Sequence, residues 1–169
     1  MEARPVPGSS LLARYLRDAH YADAFSTDTA RAVAFADYVT AFYTTPVFRL
    51  ERLILKYAVA KPSTDADARA LADGADTFAA WRVEARGTDE LLLCDYMGRT
   101  RSWLRTEALD GGGTRLWFGS AVVPVADANT GRPRLGVPFN ALLGFHRLYS
   151  RVLLGAAAAR LDRAPPASA

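Results

Sequence analysis

The residues of this chain whose types could do chemistry are few: His20 and His146, the single cysteine Cys94, and scattered carboxylates, phenols and arginines. His146 has the most suggestive setting. It stands in GVPFNALLGFHRLYSRVLLGAAAARL, residues 136–161, beside an apolar arc that includes Leu142, Phe145, Tyr149 and Leu153 at helical spacing. An imidazole there either orients a ligand or moves a proton in a cavity, or it is a core-edge histidine bonded to a backbone carbonyl. Asp23, Asp95 and Tyr96 fall in or beside segments of strand pattern, and one of them facing His146 would make an acid–base pair. The plainer reading of a strand carboxylate is exposure or a cross-strand arginine. Arg101 and Arg105 share a strand face with Trp103; they either meet such acids or grip an acidic ligand group bidentately.

Other constellations are weaker. His20 and Asp23 suggest a metal, but no spaced ligand motif accompanies them, and neither a metal nor a cofactor is expected. Asp65, Asp67, Asp73 and Asp76 lack the glycine and terminal glutamate of a calcium loop. Gly111-Gly112-Gly113 precedes a strand rather than a helix, so it reads as a hairpin and not a phosphate cradle. Cys94 follows Leu91, Leu92 and Leu93 and reads as buried and inert.

The elements that position these residues follow from periodicity. Ser9 and Ser10 cap a short helix carrying Leu12, Tyr15, Leu16 and Ala19. YADAFSTDT is a first strand with Tyr21, Asp23 and Phe25 on one side. Thr27 and Asp28 offer caps for a helix with Ala34, Tyr38, Ala41 and Phe42 on one face. Pro46 opens a second helix whose stripe is Val47, Leu50, Ile54 and Tyr57. Residues 61–76, acidic and alanine-rich, read as a mobile surface connection with room for one helical turn. The period then changes: Trp81, Val83 and Ala85 alternate with Arg82, Glu84 and Arg86. LLLCDYM, RTRSWLRTEAL and TRLWFGSAVVPV complete four antiparallel strands joined by hairpins, the last apolar on both faces. In the closing helix Leu142, Phe145, Tyr149, Val152, Leu153 and Ala156 form one arc, and Leu143, Leu154 and Leu161 an adjoining stripe. So wide an arc is covered on more than one side, by the sheet and either other helices or a second subunit.

The 169 residues, half of them apolar, fit one domain, 1–169, with 1–20 as a helical N-terminal extension and 163–169 as a disordered tail. A net charge of +3 comes almost wholly from arginine, spread along the chain with acids between, which argues against nucleic acid and is the usage of GC-rich bacterial coding. The lone cysteine and the absence of an apolar leader point to the cytoplasm. The closing helix is too interrupted by polar residues to span a membrane.

The order of elements resembles the START-like, helix-grip fold: α+β, a curved antiparallel sheet gripping a long C-terminal helix, here with two additional helices after the first strand. Tyr21-Ala22-Asp23-Ala24-Phe25, the segment opening at Pro46-Val47-Phe48-Arg49-Leu50, and Phe145-His146-Arg147-Leu148 resemble a bacterial family classed as a domain of unknown function. The resemblance implies a fold and no chemistry, although START-like proteins often hold apolar molecules under the helix and some are cyclases or hydrolases.

Three functions are therefore expected, in order. The first is non-catalytic binding of an apolar or amphipathic small molecule between sheet and helix, with Asp23, Trp81, Tyr96, Arg101, Trp103, Leu142, His146, Tyr149 and Leu153 as lining residues and Trp117 as a further wall. The second is a cyclase or hydrolase using His146 with Asp23, Asp95 or Tyr96. The third is a homodimer burying the Leu143/Leu154/Leu161 stripe.

Overall fold

The computed structural model describes residues 1–16, 21–50, 62–126, 133–134 and 137–163, and the side chains of all of these except 125–126, 133–134 and 137–147. The strands are β1 (Glu2–Arg4), β2 (Tyr21–Thr29), β3 (Thr77–Phe78), β4 (Trp81–Arg86), β5 (Glu90–Asp95), β6 (Thr100–Ala108) and β7 (Thr114–Val122). They form one antiparallel sheet in the order β1-β2-β7-β6-β5-β4-β3. A small ribbon, β8 (Val125–Ala126) with β9 (Pro133–Arg134), precedes the last helix. The helices are α1 (Phe35–Tyr43), α2 (opening at Pro46 and described over 46–50), α3 (Asp65–Ala72) and α4 (Val137–Arg163). The fold is α+β, with α4 packed against the sheet in a helix-grip-like arrangement.

Strands apolar on both faces belong at the centre of a sheet covered twice. β5 and β7 have that character, and both are buried along most of their length. On one face Phe25, Leu91, Leu93, Leu104, Leu116 and Phe118 meet Tyr38, Val39 and Phe42 of α1 and Leu153, Leu154, Ala157 and Leu161 of α4. Aromatic rings interlock there, with Phe42 and Phe118 centroids 4.9 Å apart and Tyr43 and Phe48 4.8 Å apart.

The opposite face is covered by the N-terminal segment. A 3₁₀ turn, Leu11–Leu16, places Leu12 and Tyr15 against Ala24, Leu92, Trp103, Trp117 and Ala121. Gly119 lets it approach: a Cβ there would lie 2.6 Å from Leu12 Cδ2, 2.8 Å from Trp103 Cε3 and 2.9 Å from the Asp23 carbonyl oxygen. β1 was not expected, nor was this turn expected to be 3₁₀; both depend on contacts with the sheet rather than on local periodicity.

Several expectations need correction. Thr27 and Asp28 lie in β2 rather than capping a helix, and α1 starts at Phe35 without a side-chain cap. In α2 Leu50 is 59% exposed and Phe48 is the buried residue; Ile54 and Tyr57 lie outside the described residues. Within 61–76, α3 is a capped helix: Thr64 Oγ1 accepts from Asp67 N, Asp67 Oδ2 accepts from Thr64 N, and Ala68 and Leu71 are buried. A register shift between Val83 and Ala85 breaks the expected alternation of β4. Among the described side chains of α4 the buried ones are Ser150, Leu153, Leu154, Ala157 and Leu161, whereas Val152 is 43% exposed. Leu154 and Leu161 are thus enclosed in the chain's own core, which removes them from the surface assigned to a homodimer.

Gly119→Ala is expected to cost about 2 kcal/mol in urea denaturation through overpacking, and Leu12→Ala about 3 kcal/mol through cavity formation. Because Leu12 is one of the atoms the new methyl meets, the double variant should lose less than the sum of the two. Strict additivity would contradict the packing described.

Candidate functional site

The residues expected to line one cavity are divided among four places. Trp81 packs on the helix-covered face, but β4 is four strand spacings of about 4.8 Å from β2. Tyr96 is 55% exposed in the β5–β6 turn. Beside it, Asp95 Oδ1 accepts from the backbone N–H groups of Arg99 and Thr100 and so closes that turn. Arg101 and Trp103 point to the face opposite α4. Asp23, Tyr149 and Leu153 remain on the α4 side, and the side chains of Leu142 and His146 lie outside the described residues, as does His20. The described members of the expected cavity set are therefore not brought together; Tyr96 is exposed, and Asp95 is engaged by the backbone of the β5–β6 turn.

On the opposite face the polar residues form a structural network. The extra residue of the β4 bulge, Glu84, is turned to the same side as Ala85. Its carboxylate accepts from Tyr15 Oη at 2.5 Å and pairs with Arg101 Nε at 2.6 Å, and Arg101 Nε also donates to Tyr15 Oη at 2.7 Å. Burial and then the bond to Glu84 push the Tyr15 phenol above its ordinary value, against the opposing pull of Arg101. Burial opposes the Arg101 charge, but its bond to Tyr15 and the Glu84 carboxylate more than offset that and raise its pKa. Glu90 accepts from the backbone N–H of Leu11 and from Trp103 Nε1, while Trp117 Nε1 donates to Glu107. Arg105 meets Asp89 at 3.6 Å. The arginine-rich face is thus occupied by ion pairs, and its chemistry holds the N-terminal cover. Cys94 is fully buried there, cross-strand from Arg101.

The space between sheet and helices contains a few satisfied polar groups among apolar side chains. Tyr38 Oη donates to the Trp117 carbonyl, Tyr43 Oη and Ser102 Oγ are 3.1 Å apart, and Ser120 Oγ donates to Asp23 Oδ1 at 2.6 Å. Tyr21 Oη donates to the other Asp23 oxygen at 2.8 Å. Over its described side chains α4 packs Leu153, Leu154, Ala157 and Leu161 against the apolar core of the sheet and α1. No group of three or more His, Cys, Asp or Glu among the described residues could hold a metal ion.

Among the described residues a groove lies at the sheet edge. β1 pairs only with Ala24–Ser26 of β2, and Pro5 follows, a residue with no N–H to continue the ladder. The chain then leaves for the opposite face, where Val6 packs. Between this crossing, the β2 edge and α4 lies a groove of about 540 Å³, walled by Ala3, Arg4, Pro5, Val6 and Leu16. Its floor is Ala22 to Phe25, and Arg151 of α4 closes one side. The Arg151 guanidinium lies over the Phe25 ring, 5.7 Å from its centroid. Arg4 is already engaged by Ser26 and Glu2.

Of the residues lining this groove, only Asp23 was expected at a site. Arg151 falls opposite the apolar arc on a helical wheel, and the N-terminal wall has no motif. Pro5 beside the short apolar stretch was the one available signal of a chain leaving a sheet edge. No family model matches the chain, and no curated protein matches its sequence.

Burial, with a smaller contribution from Tyr43, raises the Tyr38 phenol well above its ordinary value of 10.0. The unfolded chain then releases this proton at lower pH than the folded chain, so the stability concerned is complete below about pH 10 and is lost as pH rises towards the folded value. Tyr38→Phe is expected to lose about 1 kcal/mol at neutral pH and to weaken the alkaline fall in stability. Urea titrations from pH 8 upward check this; an alkaline limb unchanged by the substitution would contradict it.

Proposed function

We propose that this protein is a non-catalytic binding protein for an apolar or amphipathic small molecule, and that the ligand lies in the edge groove between β1, β2 and α4 rather than beneath the helix. The observation that carries this reading is the groove itself: about 540 Å³, largely apolar, with few polar groups at its margin. That volume is within the usual range of small-molecule sites. Its walls are anchored on both sides. Leu12 and Tyr15 fix the N-terminal segment to the opposite face, and Met1 packs against α4 at Gly155, where a Cβ would lie 2.7 Å from the Met1 methyl. A groove held open by such anchors needs little ordering when a ligand enters. START-like architecture and a cytoplasmic, bacterial setting belong to the same reading. No helix of the described residues is long and apolar enough to cross a membrane.

Native mass spectrometry of protein purified from a bacterial host, with denaturing extraction of anything retained, tests this. The expected result is a stoichiometric extra mass that is lost in Ala3→Trp, which fills the groove from an exposed edge position. A retained mass of equal abundance in Ala3→Trp would place the ligand elsewhere.

A further inference from the structure

We infer that the groove selects anionic amphiphiles, with Arg151 as the anchor for a carboxylate headgroup; this rests on the groove being the binding site. The charges at its margin are unequally committed. Asp23 accepts a hydroxyl on each carboxylate oxygen, from Ser120 and from Tyr21, so its charge is locally solvated by the protein. Arg4 donates through Nε to Ser26 and through an amino group to Glu2. Arg151 differs from both. It lines the groove, its guanidinium rests on Phe25, and no described carboxylate pairs with it.

A guanidinium held over an aromatic face by cation–π attraction keeps N–H donors for a carboxylate, which it can take through two parallel hydrogen bonds. Phe25, Ala24 and Ala22 continue the floor with apolar atoms. An anionic head at Arg151 with an alkyl or aryl body along that floor matches both the charge and the apolar surface. A cationic head would meet two arginines and an aspartate already satisfied by hydroxyls.

Decanoate, decan-1-ol and decylamine, titrated calorimetrically at neutral pH and low salt, separate headgroup from chain. Decanoate is expected to bind at least about tenfold more tightly than decanol, a modest charge-assisted gain, with decylamine weakest. Arg151→Gln should abolish that preference while leaving decanol binding intact, and Arg151→Lys should keep part of it. Thermal melts of both variants establish that they are folded; Arg151 is exposed, so little change is expected. Equal affinity for decanoate and decanol, or a preference unaffected by Arg151→Gln, would overturn the anionic headgroup while leaving the groove as a binding site. Binding of none of the three would overturn the groove reading itself.

Discussion

The central strands β5, β6 and β7 carry large side chains on both faces, so the sheet has to be covered twice. Leu91, Leu93, Leu104 and Phe118 require the layer made by α1 and α4, while Leu92, Trp103 and Trp117 require a second layer on the other side. No described helix supplies that second layer. The first sixteen residues do, through one 3₁₀ turn that inserts Leu12 beside Trp103 over Gly119. The polar partners on that face follow from the same need. Two indole N–H groups, a guanidinium and a phenol are removed from water there, and Glu90, Glu107 and Glu84 receive them.

The groove is a consequence of this routing. A chain that begins as an edge strand beside β2 and must then cover the opposite face has to cross the sheet edge. Pro5 is at the crossing, where a ladder would need an N–H. The edge strand ends after three residues, and the β2 floor beyond it stays uncovered by a strand. α4, held by Leu153, Leu154 and Ala157 on the far side of Phe25, brings Arg151 to the margin. The packing that buries Leu153, Leu154 and Ala157 against the sheet thus leaves room at the edge.

Much of the fold was legible in the sequence, because long elements carry long patterns. The alternation of Tyr21, Asp23 and Phe25, the two-sided apolar run around Trp117, and the length of the closing helix all specify what they form. Features decided by neighbours were not legible. One extra residue at Glu84 reverses the facing of Ala85, and alternation alone cannot reveal it. Ala68 and Leu71 suffice to dock α3 because α1 is there to receive them, although the segment's composition reads as solvated. In α4 Leu153, Leu154 and Leu161 are buried as the pattern predicts, but Val152 of the same arc is exposed while Ser150, outside it, is buried. The groove was least legible of all, since its walls come from β1, the N-terminal turn, β2 and α4, and none of these contributes a motif.

The account turns on where a ligand sits. Amide chemical-shift mapping with decanoate, on uniformly nitrogen-15-labelled protein, tests that most directly. The account predicts saturable shifts confined to Ala3, Arg4, Val6, Ala22 to Phe25 and Arg151, with Leu91, Leu93 and Ser102 on the covered face unmoved. Shifts centred on Leu91, Leu93, Ser102 and α1 would instead place the ligand between sheet and helices, and would contradict it.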